Sequence, residues 1–179
     1  MKEKDFLAMP EKERKSRTLE GIAYWASVHK PNMSAVTKFK GVPAYMVSLG
    51  LDETNMKLTK EYGLDVKDAD EFIPMPYVKL QRKIRPPKTE KDVKVNVVDS
   101  MQNEIPPTIL IGNGSLVRCK FGTRWSTGAK AGVVADLYKV QVRKLVEYVS
   151  NGDKDLVKDE TGFTIPNISA EDSEIDFED

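Results

Sequence analysis

Tyr77-Val78-Lys79-Leu80-Gln81-Arg82-Lys83-Ile84-Arg85 sets the terms for the whole chain. Val78 and Leu80 fall on one side of an extended backbone, and Tyr77, Lys79, Gln81, Lys83 and Arg85 fall on the other. A period of two is the signature of a half-buried strand, so one face enters a core and a basic, partly aromatic face remains outside. Val93, Val95 and Val97 alternate with Lys94 and Asn96 in the same way.

Outward from this segment, short apolar runs bounded by turn residues recur. Gly21 to Val28 is aromatic-rich and closed by Pro31, and Val42 to Leu49 lies between Gly41 and Gly50. Both read as strands. Asp52 is an N-cap for a helix holding Met56 and Leu58, with Gly63 just past its end. Ile109 to Ile111 runs into Gly112-Asn113-Gly114, a strong turn signal, and Leu116 to Phe121 resumes as a strand. Gly122 to Gly132 reads as a loop. Residues 133–149 are long enough for a helix, but β-branched residues and the alternation of Val140 with Val142 favour a strand. Many short strands, one helix and frequent turns predict a mainly β fold: a small closed barrel of the oligonucleotide-binding kind, or a sandwich.

Charge divides the chain. Residues 151–179 hold ten acidic residues against Lys154 and Lys158, a balance of −8, which leaves 26 Lys and Arg against 18 Asp and Glu in residues 1–150. A basic body with an acidic tail is the pattern of a polyanion binder that carries an interaction segment. The tail is too polar to bury a core and is expected to be disordered. Residues 1–17 alternate charges around Pro10 and read as a solvated arm or short exposed helix. The expected organisation is an arm over 1–17, a binding domain over 18–150 and a flexible tail over 151–179.

Other classes find little support. No apolar run approaches the roughly 20 residues needed to span a bilayer, and the charged start shows no secretory signal. Cys119 is the single cysteine and His29 the single histidine, which excludes an internal disulfide and the common zinc sites. No nucleophile accompanies His29, so it reads as an ordinary strand-end residue. Gly112-Asn113-Gly114-Ser115 lacks the Lys-Ser/Thr ending of a phosphate-binding loop and reads as a hairpin turn. No catalytic residue, metal or cofactor is expected.

Single-strand binding needs cations for the backbone and aromatic faces for unstacked bases. The sequence interleaves them as Tyr24-Trp25 with Lys30, Tyr77 with Lys79, Lys83 and Arg85, and Lys120-Phe121 with Arg124-Trp125, with Lys94 and Lys130 adding charge nearby. Trp25 suits core or ligand equally, whereas Trp125, in a Gly- and Thr-rich stretch, is expected to be exposed. In the tail, Ile175, Asp176, Phe177, Glu178 and Asp179 place two apolar anchors among acids, as a short docking segment would.

Three features together resemble the single-stranded DNA-binding proteins of short-tailed phages of the T-seven kind. The first is Val93 to Ser100, followed by Ile-Gly-Asn-Gly-Ser and then Arg124-Trp125-Ser126-Thr127; the second is the aromatic segment from Tyr24 to Lys30-Pro31. The third is the acidic tail with its near-terminal Phe177. The resemblance spans residues from about 20 to 150 and the last ten. It implies an oligonucleotide-binding barrel with one helix, binding without catalysis, and a tail that contacts DNA polymerase and helicase-primase. The implied setting is DNA replication, recombination or repair in the cytoplasm of an infected bacterium, and a homodimer is compatible with it. The sequence departs from the family where Glu178 and Asp179 follow Phe177, and where Thr123 replaces an aromatic residue, with Phe121 as the nearest substitute. A replication adaptor that binds DNA incidentally and an RNA-binding barrel are the alternative readings.

Overall fold

A computed structural model describes residues 1–33, 42–84, 92–127 and 131–148. Its elements in chain order are α1 (Glu3–Ala8), α2 (Glu11–Lys15), β1 (Arg17–Asn32), β2 (Ala44–Gly50), α3 (Glu53–Glu61), β3 (Tyr77–Lys83), β4 (Asn96–Val98), β5 (Ser115–Ser126) and β6 (Gly132–Lys144).

β1 organises the barrel because it is long enough to serve two neighbours. Its first half, Arg17 to Ala23, pairs antiparallel with β5, and its second half, from Ile22, pairs with β2. At the crossover a Cβ on Gly21 would collide with the carbonyl oxygen of Gly50, so only glycine admits this approach. β2 then pairs with β3, and β5 with β6. One parallel contact, Gln81 with Asp136, brings β3 against β6 and closes five strands in the order β1-β2-β3-β6-β5. β4 continues beside β6 in parallel register, Val97 opposite Val140. Arg82 reinforces the short closure: its guanidinium lies 3.6 Å from the Asp136 carboxylate and over the Tyr138 ring, 4.9 Å from its centroid. The fold is therefore the closed oligonucleotide-binding-type barrel that the strand pattern predicts.

Alternation along the strands fills the interior. Leu19, Ala23, Val47, Leu49, Val78, Leu80, Val117, Cys119, Phe121 and Leu137 are buried in one core. Complete burial pushes the Cys119 thiol up to about 12, so it stays protonated and unreactive. α3 is fixed at its start by the Asp52 carboxylate, which accepts from the Asn55 N–H at 2.7 Å. Just beyond its end, Tyr62 meets Phe121 edge-on at 6.1 Å, which places the helix against the core.

Two parts of the fold differ from the sequence expectation, and a third follows it. The stretch from Gly122 is a strand rather than a loop: β5 continues to Ser126, with Gly122, Thr123, Arg124 and Trp125 paired to Asp136, Ala135, Val134 and Val133. Thr123 and Trp125 favour a strand, and ladder hydrogen bonds carry Gly122 along with them. Residues 133–144 belong to strand β6, as their β-branched content favours. The N-terminal segment forms short, largely exposed helices, one of its two expected forms, but it is docked, because Phe6 is buried and packs against Trp125 at 6.0 Å. Burial of one such ring contributes about 1.5–3 kcal/mol, enough to hold two helices of six and five residues that could not persist alone. A compact unit spans Met1–Tyr148, and the acidic tail lies outside the described residues. Among the described residues no helix is long and apolar enough to cross a membrane.

Candidate functional site

The pairing of β1 with β2 is interrupted at one place. Tyr24 faces Ser48 and Ser27 faces Met46, so three steps on β1 oppose two on β2, a β-bulge. Trp25 sits in it with φ of 53°, in the left-handed region that costs a bulky residue about 1–3 kcal/mol. The strain is held by a designed contact: the Trp25 N–H donates to the Asn113 side-chain carbonyl at 2.9 Å. Asn113 belongs to the Gly112-Asn113-Gly114 turn, where Gly114 adopts φ of 94° and its N–H donates to the Ala23 carbonyl at 3.0 Å. The buried Ser115 hydroxyl lies 2.9 Å from the Gly112 carbonyl oxygen and accepts from the Val146 N–H at 3.0 Å. The turn is thereby tied to β1 on one side and to the segment after β6 on the other.

The bulge turns Trp25 outward, leaving it 53% exposed, and Phe72 meets its ring edge-on at 6.0 Å and 75°. Phe72 is itself 62% exposed. It stands in a loop organised by Asp70, whose carboxylate accepts from the Ile73 N–H at 2.8 Å, the Phe72 N–H at 2.9 Å and the Tyr77 hydroxyl at 2.9 Å. The Ile73 and Phe72 amides, then the Tyr77 hydroxyl, hold the Asp70 carboxyl below its ordinary range. Buried Ile73 anchors the loop. Two large aromatic faces thus stay in water on a fixed frame.

Beside them runs an open cleft of about 530 Å³. Trp25, Ala26, Ser27, Met46, Ser48 and Lys79 come to it from β1, β2 and β3, and Leu110, Ile111, Asn113 and Tyr148 form the facing wall. The outer sheet face beneath is ordered in rows: Tyr24, Ser48 and Lys79; then Ser27, Met46 and Gln81; then Asn32, Ala44 and Lys83. Aromatic faces, a thioether, hydroxyls and lysines in this sequence suit a flexible chain of flat rings joined by anions. Among the described residues no group of three or more potential metal ligands occurs.

The residues that the sequence nominates scatter over this frame. Trp25 and Lys79 line the cleft, Tyr24 shares the Ser48–Lys79 row beside it, and Lys83 is exposed two rows further along the same face. Lys30 lines a smaller adjoining recess with His29, whose pKa burial lowers. Lys94 is exposed next to Val93, whose N–H bonds the Ile84 carbonyl beyond the end of β3. Tyr77 is not a stacking platform: it shares the outward parity of Lys79, but the 65–76 segment covers it and Asp70 takes its hydroxyl. Phe121 is fully buried in the core and cannot replace the missing aromatic at Thr123. Thr123 is itself buried, its hydroxyl donating to the Arg14 carbonyl at 3.1 Å.

Trp125 is half-buried under Phe6, against the expectation of exposure, while Arg124 beside it is exposed. Lys120 is exposed on the outer face of β5 opposite Thr18, six residues along β1 from Tyr24, or about 20 Å of strand. Arg85, Lys130 and the tail residues Ile175 to Asp179 lie outside the described residues.

Phe72, Asn113, Tyr148, Met46, Ser48 and Leu110 are the site residues that sequence reading missed. Only Phe72 carries a local signal, as a lone large aromatic in the acidic run Asp68-Ala69-Asp70-Glu71. The others are recruited by register and by the turn.

No protein-family model matches the sequence, and no curated protein matches it. Solved structures do resemble it. The crystal structure of gp2.5, a single-stranded DNA-binding protein encoded by bacteriophage T7, superposes with a TM-score of 0.56 at 21% identity, covering 84% of this chain and 98% of that one. The single-stranded DNA-binding protein from bacteriophage Enc34, in complex with single-stranded DNA, superposes with a TM-score of 0.57 at 15% identity, covering 75% of this chain and 89% of that one. A C-terminal truncation of the Enc34 protein gives the same TM-score, 0.57, over 76% of this chain and 90% of its own. The chain has the fold of these phage proteins.

Proposed function

We propose that this chain is a non-catalytic protein that binds single-stranded DNA without sequence preference. The observation that carries the reading is the bulge: a strained Trp25, pinned by Asn113, is held out against Phe72 at the mouth of a lysine-bearing cleft. Strain of this kind persists where function uses it. An exposed aromatic pair offers π-faces to any base, at about 1–3 kcal/mol per stacked base. Lys79 and Lys83 on the adjoining rows supply the phosphate contacts. Stacking on an aromatic face accepts any base, which is why the binding is sequence-tolerant.

The setting is phage DNA replication, recombination and repair in the cytoplasm of an infected bacterium, where the protein coats and protects exposed strands. The acidic tail has two roles in this reading. Its balance of −8 makes it a tethered competitor for cationic surface, and Ile175, Phe177 and the flanking acids dock replication proteins such as polymerase and helicase-primase. Titration with oligo-dT tests the proposal. Binding should quench tryptophan fluorescence and weaken with salt at a log–log slope of about −0.7 per phosphate contacted. Removal of residues 169–179 should tighten it at low salt. A chain that neither quenches nor retards the oligomer at low salt contradicts single-strand binding, and unchanged affinity on truncation contradicts the competing tail.

A further inference from the structure

The outer face of β5 and β6 carries a cluster of cations that the cleft does not use. Register places Arg118 opposite Gln141, Lys120 opposite Lys139 and Leu116 opposite Lys144. A bulge between Leu116 and Val117 leaves Arg143 as the extra residue beside Lys144. Glu20, from β1, answers two of these charges: its carboxylate oxygen lies 2.9 Å from Arg118 and 3.8 Å from Arg143. Asp99 also approaches, but its carboxylate is committed to the Met101 and Asn103 N–H groups of its own turn. Among the described residues, five cations on this face therefore share one uncommitted carboxylate.

Two details point to a polyanion as the missing partner. Lys120 and Lys139 stand directly opposite each other, an arrangement that costs stability in a sheet unless something neutralises it. Lys139 donates to Gln102 at 2.6 Å, a neutral acceptor that leaves its charge uncompensated. The chemistry of the face is otherwise hydroxyl, amide and aliphatic: Thr18, Gln141 and Leu116 share it, and no aromatic ring stands in these outward positions. It can hold phosphates but cannot stack bases. It also starts where the cleft ends. Leu116 follows Ser115, whose hydroxyl fastens the cleft wall, and the cations extend from there to Lys120, four residues or about 13 Å along β5.

We propose that this face is a second binding surface for the sugar–phosphate backbone alone, taking the strand after it leaves the aromatic cleft. The inference rests on the single-strand reading above and extends it. The cleft grips bases, and the β5–β6 face guides phosphates. Length of nucleic acid then separates the two: a short oligomer fills the cleft, while a long one also crosses the cationic face.

The test compares dT6 and dT30 on the full chain and on the variant Lys120→Gln/Arg143→Gln/Lys144→Gln, which leaves Arg118 paired with Glu20. For dT30 the variant should lose at least tenfold in affinity, and its salt slope should flatten by about 2, three contacts at 0.7 each. For dT6 both changes should be several-fold smaller, because an oligomer held in the cleft does not extend along β5 to Lys120. A dT6 extended with abasic phosphodiester spacers should behave as dT30 does. Equal losses for dT6 and dT30, an unmoved slope, or failure of the abasic extension to help would each overturn the second surface. Failure of the unaltered chain to bind dT30 would instead overturn single-strand binding itself. A melting temperature no lower than that of the unaltered chain confirms that the variant is folded.

Discussion

The two tryptophans stand near opposite ends of the same barrel and do opposite work. Trp25 and Trp125 look alike in sequence: each adjoins cations, aromatic residues and turn-formers. In the structure Trp25 lies in a bulge with a positive φ, exposed, with its amide pinned by Asn113. Trp125 lies in regular ladder register opposite Val133, half-covered by Phe6. What separates them is the neighbourhood that folding brings. A bulge and a glycine turn lift one ring into water, and a docked helix lowers onto the other. A tryptophan beside lysine is therefore no sign of a ligand contact until the backbone beneath it is known.

The comparison can be broken by substitution. Trp25→Ala should weaken oligo-dT binding by about 1–3 kcal/mol, roughly five- to 150-fold, with little loss of stability. Trp125→Ala should do the reverse, destabilising the fold by about 2 kcal/mol through lost packing with Phe6 while intrinsic affinity holds. Chemical denaturation and anisotropy titration on both variants check this, and a matched loss of affinity in both would remove the distinction.

A smaller effect sharpens it. Asn113→Ala removes the acceptor for the Trp25 N–H, about 1 kcal/mol of net hydrogen bonding, and frees the bulge. Affinity should fall by roughly fivefold with the Trp25 ring still present. Unchanged affinity would mean that the bulge needs no tether.

The smallest effect is a pH dependence. The folded pKa of Asp70 lies below its unfolded value because amide donors and a hydroxyl favour its charged form. Its contribution is therefore complete above the unfolded pKa of about 3.9 and is lost as pH falls through the lower folded value. Asp70→Asn should flatten this acid limb of stability, measured by urea melts from about pH 5 down to about pH 2, and should loosen Phe72 at every pH. Identical pH profiles for the two proteins would remove Asp70 from the account.

Sequence periodicity carried the barrel well, because each strand announces its inward residues. Val78 and Leu80 alternate with Lys79 and Gln81, and the buried set follows. The helix was equally legible from Asp52 and Gly63, where cap chemistry is local. Reading failed where a distant segment decides the outcome. Tyr77 obeys the alternation yet is covered by a loop, and the arm over 1–17 looks solvated until Phe6 finds Trp125. The candidate site was half legible. Tyr24, Trp25 and Lys79 are named by composition, whereas Asn113 and Tyr148 reach the cleft from segments some 90 to 120 residues further along the chain. Such contacts have no local pattern to betray them.

Oligo-dT titration of single-tryptophan chains is the most direct test of the central claim that the bulged Trp25 contacts bases. In the Trp125→Phe variant, where Trp25 is the sole reporter, the strand should quench most of the fluorescence. In the Trp25→Phe variant the signal from Trp125 should barely change as the strand binds. Quenching of Trp125 with a silent Trp25 would place the bases at the other end of the barrel and contradict the account.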